Sequence, residues 1–158
     1  MAARPTRRSS TRSWRCRRGH PATVDEQQRF LACYLGHLEI ELAASTGFRV
    51  LDGVVAALDY LAGAPRAALG IGTGNVAAGA QAKLRRAGLH ERFRFGGYGD
   101  DSAIRAELVA AAIARGRALY PDAERAVVVG DTIHDITAAR ACGATASPSP
   151  PAPTIARP

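Results

Sequence analysis

Lysine occurs once in this chain of 158 residues, at Lys83, and cysteine three times, at Cys16, Cys33 and Cys142. The cysteines are widely spaced and form no CxxC pair, which excludes a metal-thiolate or thioredoxin-like centre and argues against a disulfide framework. A reducing, cytoplasmic setting is the expectation. No run of about 18 uncharged apolar residues occurs, so no membrane-spanning helix and no membrane partner are expected. The N-terminus lacks the apolar stretch of a secretory signal. Acid is missing from residues 1–20, which hold seven arginines and no Asp or Glu. Those seven account for the whole net charge of +7, because the other 14 basic residues are matched by 14 acidic ones. The body therefore carries no basic footprint, and a nucleic-acid partner is not expected.

What is present is ordinary globular material. Apolar residues make up 47% and charged residues 22%, the composition of about one domain. Residues 1–22 are rich in Arg, Ser, Thr and Pro, lack hydrophobic periodicity, and are expected to be disordered. Residues 147–158 contain five of the nine prolines. They are also expected to be disordered, since proline extends neither a helix nor a central strand.

Between these ends the pattern is periodic. A helix is predicted from Thr23 to Ser45: Thr23 and Glu26 have capping-box spacing, and Phe30, Leu31, Tyr34, Leu35, Leu38 and Leu42 recur at helical intervals. Asp52-Gly53 reads as a turn before a second helix carrying Val54, Val55, Leu58 and Leu61. Ala67–Ile71 then reads as a buried strand, and Asn75 as the cap of a helix that ends at Gly88. Phe93–Phe95 suggests a short strand entering a glycine-rich turn. Ser102 is placed to cap a long helix that Pro121 breaks. Ala126–Val129 is the most strand-like run and reads as a buried strand, and Asp131 leads into a last helix ending at Gly143. Alternating strands and helices of this length predict an α/β fold with a parallel sheet.

In such sheets polar groups gather beyond the carboxyl ends of the strands. Gly70-Ile71-Gly72-Thr73-Gly74-Asn75 places a hydroxyl between glycines at a strand end that opens a helix, which suits a phosphate facing backbone N–H groups. The plain alternative is a tight turn with Asn75 as cap. Val127–Gly130 followed by Asp131-Thr132-Ile133-His134-Asp135 sets two carboxylates four positions apart, hard oxygens of the kind Mg²⁺ takes. Here the alternative is that Asp131 caps the helix and Asp135 is a favourable first-turn acid. Arg105 falls on the first helical turn, where a cation gains nothing from the dipole, and this points to an outside partner such as a phosphate oxygen. Arg85 and Arg86, after Lys83, read as a solvated surface.

Taken in order, Thr73-Gly74-Asn75, then Arg105 opening a helix, then Gly130-Asp131-Thr132 with Asp135, resemble motifs two, three and four of the haloacid dehalogenase-like hydrolases. The run from Gly72 to Val109 is similar to the phosphoglycolate-phosphatase-like branch. The resemblance implies a partial Rossmann-like three-layer core over residues 65–146, preceded over residues 23–64 by cap-remnant and linker helices, the helix Thr23–Ser45 being the remnant of an α-helical cap. It also implies a Mg²⁺-dependent phosphatase acting on a small phosphorylated metabolite. In it Thr73, with Gly74 and Asn75, binds the phosphoryl group, Arg105 orients it, and Asp131 and Asp135 serve the metal. The double-Asp fourth motif favours phosphoryl chemistry over dehalogenation.

The family's first motif, DxDxT or DxDGT, supplies the nucleophile and the general acid–base. It does not occur in this sequence; Val50-Leu51-Asp52-Gly53 has Val50 at the nucleophile position. The strand that bears the motif is central in the family's sheet, so an incomplete sheet, an inactive chain and weak Mg²⁺ binding are expected. The alternative is a non-catalytic phosphate- or metal-binding module, a pseudoenzyme. Twenty arginines against one lysine fit GC-rich coding, in which a shifted frame yields Arg- and Pro-rich ends. A shifted frame or a fragmented gene is one explanation for both ends, and the upstream nucleotide sequence tests it.

Overall fold

The computed structural model describes residues 21–148. Helix α1 (Val24–Ala44) opens on the predicted capping box: Thr23 N–H donates to Glu26 at 2.8 Å, and Glu26 N–H donates to Thr23 Oγ1 at 3.2 Å. Gly53 at φ +80° turns the chain into α2 (Val54–Gly63). The Rossmann-like α/β portion follows as β1 (Gly70–Gly72), α3 (Ala77–Arg86), a 3₁₀ turn (His90–Arg92), β2 (Phe95–Gly97), α4 (Arg105–Leu119), β3 (Val127–Gly130), α5 (Ile133–Ala141) and β4 (Thr145–Pro148).

The strands form two parallel pairs rather than one sheet. β1 pairs with β2, Gly70 opposite Phe95 and Gly72 opposite Gly97. β3 pairs with β4, Val127 opposite Thr145 and Gly130 opposite Pro148. Neither β1 nor β3 has a second partner strand among the described residues. The pairs are joined through helices, since α4 packs across β1 and β2 while α5 packs against β3, β4 and α4. The core sits in that seam: Leu108, Val109 and Ala138 are buried there, with Val128, Ile113 and Cys142 against them. Gly97 permits the close approach of α4, because a Cβ there would strike the Leu108 carbonyl.

Several elements depart from the sequence expectation. The strand expected at Ala67–Ile71 is confined to Gly70–Gly72. Val127 and Val129 are 58% and 62% exposed rather than buried, because α4 and α5 cover only the face to which Val128 points. Asn75 does not cap α3, whose first residue follows Val76 without a side-chain cap. Ser102 does not cap α4. It accepts from Ile104 N–H at 3.0 Å and donates to Glu107 at 2.6 Å, so the helix begins at Arg105. The cap of α5 is Thr132, not Asp131. Finally, β4 includes Ser147 and Pro148, two residues into the stretch expected to be disordered. Proline is tolerated there because β4 is an edge strand that pairs on one side only.

Candidate functional site

Thr73 leaves the carboxyl end of β1, its N–H donating to Gly97 carbonyl at 2.9 Å. Its Oγ1 accepts two hydrogen bonds from Asn75, one from the backbone N–H at 3.2 Å and one from Nδ2 at 3.0 Å. Asn75 Oδ1 in turn accepts from Lys83 Nζ at 3.1 Å. A hydroxyl has two acceptor positions and one donor proton. With both acceptor positions filled by Asn75, the Thr73 proton is left for a group other than Asn75. The glycine-rich turn after β2 is stitched to this end, as Gly99 N–H donates to Asn75 carbonyl at 2.8 Å. A Cβ on Gly99 would strike the Gly74 carbonyl. Asp100 accepts from Ala77 N–H at 2.5 Å. The α3 N-terminus, expected to face a bound anion, thus already holds a carboxylate of the chain itself.

The second cluster forms where α4 and α5 begin. Arg105, the first residue of α4, places Nε at 2.9 Å and Nη2 at 2.7 Å from Asp135 Oδ1. Thr132 donates from Oγ1 to Asp135 Oδ2 at 2.8 Å and accepts Asp135 N–H at 3.3 Å. Asp135 is 6% exposed. Burial pushes its carboxyl up, but the Thr132 hydroxyl and then the Arg105 guanidinium outweigh this and hold it below the usual range. Arg105 therefore finds inside the chain the partner that its place on the helix implied. α4 follows β2 and α5 follows β3, so this contact sets the starts of the two helices side by side.

A third interaction braces the loop between β2 and α4. Arg115 grips Asp101 with two bonds, at 2.7 and 2.6 Å, and donates to Gly96 carbonyl at 2.6 Å. The Arg115 hydrogen bonds are the main reason that the Asp101 carboxyl also lies below its usual range.

Arg105 and Asp135 are thus in contact, and Thr73 and Asn75 are in contact. No hydrogen bond links these two pairs among the described residues. Asp131 is exposed and makes no hydrogen bond or ion pair among the described residues. His134 is exposed beside it. Arg105 and Thr132 occupy three of the about four lone-pair positions of the Asp135 carboxylate, so as it stands it offers Mg²⁺ one position on Oδ2, beside the exposed Asp131. No group of three or more His, Cys, Asp or Glu side chains is placed to hold a metal ion among the described residues.

The family model for haloacid dehalogenase-like hydrolases matches residues 6–143. The chain belongs to that family. No curated protein matches it. Membership makes the chain a hydrolase by family, and the parallel strand pairs with their covering helices fit the Rossmann-like core of a haloacid dehalogenase-like hydrolase. The match also begins inside the Arg-rich segment, ahead of the first described helix. Among the described residues, no helix is long and apolar enough to cross a membrane.

Sequence reasoning passed over three members of these clusters. Thr132 was legible, because Thr132 and Asp135 repeat the capping-box spacing seen at Thr23 and Glu26. Lys83 lies two helical turns beyond Asn75, within reach of a long side chain that leans toward the helix N-terminus. Arg115 gave no local signal. Its partner Asp101 is 14 positions away, and only the packing of α4 on β2 makes them neighbours.

Proposed function

We propose that this hydrolase is by descent a phosphomonoester hydrolase of the phosphoglycolate-phosphatase-like branch, acting on a small phosphorylated metabolite. Thr73, Gly74, Asn75 and Arg105 handle the phosphoryl group. The observation that carries this reading is the Thr73 hydroxyl, both of whose acceptor positions are filled by Asn75. Its proton is left to donate to a phosphoryl oxygen beyond β1. The Gly74 N–H, next along the turn, makes no hydrogen bond among the described residues and offers a second donor. Arg105 binds Asp135 through Nε and Nη2, which leaves Nη1 for an anion. Asp135 then works as the anchor that fixes the guanidinium plane.

Hydrolases of this superfamily generally use Mg²⁺, which supplies charge neutralisation at the transferring phosphoryl group. In this chain Asp131 is the exposed carboxylate for that ion, while Asp135 is committed to Arg105. A single free carboxylate holds Mg²⁺ poorly, so binding in the millimolar range or weaker is expected by calorimetry. Tight stoichiometric binding would mean that a further carboxylate completes the site. Residues 23–64 are read as the cap remnant and residues 65–146 as the partial core.

Because no DxDxT nucleophile stands in the sequence, the chain should bind phosphate without turning over a phosphomonoester, which makes it a non-catalytic phosphate-binding module as written. Two measurements test this. Inorganic phosphate binding, followed by ³¹P line broadening, should weaken at least about tenfold in Thr73→Val and in Arg105→Gln, the loss expected for one charged-group hydrogen bond. Hydrolysis of a generic aryl phosphate with Mg²⁺ should stay at background. Turnover that persists through purification and vanishes in Asp131→Ala would refute the inactive reading.

A further inference from the structure

Lys83 is the only lysine and Asn75 the only asparagine in the chain, and the structure puts them in hydrogen-bond contact at the strand end. An ammonium group has donors and no acceptor, whereas a carboxamide has one end of each kind. Lys83 therefore fixes which way the Asn75 amide faces: Oδ1 must meet Nζ, so Nδ2 must meet Thr73 Oγ1. That in turn obliges the Thr73 hydroxyl to accept from Asn75 and to aim its proton elsewhere. Lys83 makes no ion pair among the described residues, so no carboxylate competes for it there. It is half-buried rather than trailing in solvent.

We propose that Lys83 is a positioning residue that sets the polarity of the Lys83–Asn75–Thr73 hydrogen-bond chain and so presents the Thr73 hydroxyl as a donor to a phosphoryl oxygen. The proposal rests on the phosphate-handling reading of Thr73. Without Lys83, the Asn75 amide is free to turn over and offer Oδ1 to Thr73. The hydroxyl then donates inward, and the outward donor disappears although every residue of the turn is still present. Asp100 on Ala77 N–H and Gly99 on Asn75 carbonyl keep the backbone of the turn in place meanwhile.

Because each residue type is unique in the chain, selective ¹⁵N labelling of asparagine gives one side-chain amide signal to follow. In the wild-type chain, Asn75 Nδ2 should exchange slowly with solvent. In Lys83→Met, exchange should accelerate about tenfold with the rest of the amide spectrum unchanged, and Lys83→Arg, which keeps a donor, should restore it. Phosphate affinity should follow the same order, about tenfold weaker in Lys83→Met and near wild type in Lys83→Arg. In Asn75→Ala, which already lacks the relay, the added Lys83→Met change should weaken phosphate by less than about twofold. An Asn75 amide indifferent to Lys83→Met overturns the proposal, as does a full tenfold loss on top of Asn75→Ala, which would make Lys83 an independent charge. An Asn75 amide that responds to Lys83→Met, together with a wild-type chain that binds no phosphate, supports the hydrogen-bond polarity and overturns the phosphate reading beneath it.

Discussion

The two halves of the described chain obey opposite logics. Helix α1 has the better local signals, with a complete capping box and an apolar repeat over 21 residues, yet none of its residues is fully buried. Phe30 and Ile40 are 63% and 65% exposed. α1 is held by narrow contacts: Tyr34 lies against Gly79 of α3, and Arg86 donates to Leu42 carbonyl at 3.1 Å while stacking over Phe48. α2 buries nothing either, and an ion pair between Asp59 and Arg92 at 2.5 Å ties it to the 3₁₀ turn. Helix α4, whose start ran against its expected cap, buries Leu108, Val109, Ala112 and Gly116. Helix-forming signals and core-forming positions are thus separate properties of a sequence. The first are satisfied within a few residues, whereas the second need a partner surface.

The largest expected effect lies in the second half. Leu108→Ala removes a side chain that is 2% exposed and should cost about 3–4 kcal/mol in denaturant unfolding. Phe30→Ala in α1 should stay within about 0.5 kcal/mol; equal losses would show that α1 belongs to the same cooperative core. Gly97→Ala forces a methyl into the Leu108 carbonyl and should cost about 3 kcal/mol, whereas Gly36→Ala, with open space around the Cβ position, should stabilise helix α1 alone by about 0.5–1 kcal/mol, read as slower hydrogen exchange within it.

Asp135 gives an effect of middle size. Asp135→Ala leaves Arg105 and Thr132 without their shared partner and should cost about 2 kcal/mol, counted as lost charged hydrogen bonds with Arg105 partly solvated. The Asp135 and Asp101 carboxyls both titrate lower in the folded chain than in the unfolded one. The unfolded state therefore binds more protons, and stability is lost as pH falls below about 4 toward the depressed values. Asp135→Asn should flatten that acid limb in a pH series of unfolding midpoints. The smallest effect is local. Thr23→Ala removes the α1 cap, worth about 1 kcal/mol to the helix. It should speed hydrogen exchange in the first turns of α1 while leaving the unfolding midpoint of the β1–β4 region unchanged.

Much of this molecule was readable residue by residue. The capping box, the turn at Asp52-Gly53, the alternation of strands and helices, and the placing of Thr73, Arg105 and Asp135 at strand and helix ends all follow from short-range rules. Legibility ended where a group could choose among partners. Asn75 has a side chain that suits a helix cap, yet it bonds to Thr73 and Lys83. Arg105, at a helix start, points by sequence to an outside anion, yet Asp135, 30 positions away, meets it first. A β-branched run such as Val127–Val129 suits a buried strand, but burial requires a layer on each face, and the described helices pack on one.

The sequence by itself determined the order of elements, the neutral body beside an Arg-rich start, and the identity of the polar residues at each strand end, because these depend on side chains and their near neighbours. Packing is what makes the strands stand as two separate pairs, buries Asp135 against Arg105 and Thr132, and links Lys83 through Asn75 to Thr73. Each of these is a competition among distant groups for the same donors, acceptors and apolar surface. Only the packed chain fixes which of them are close enough to win.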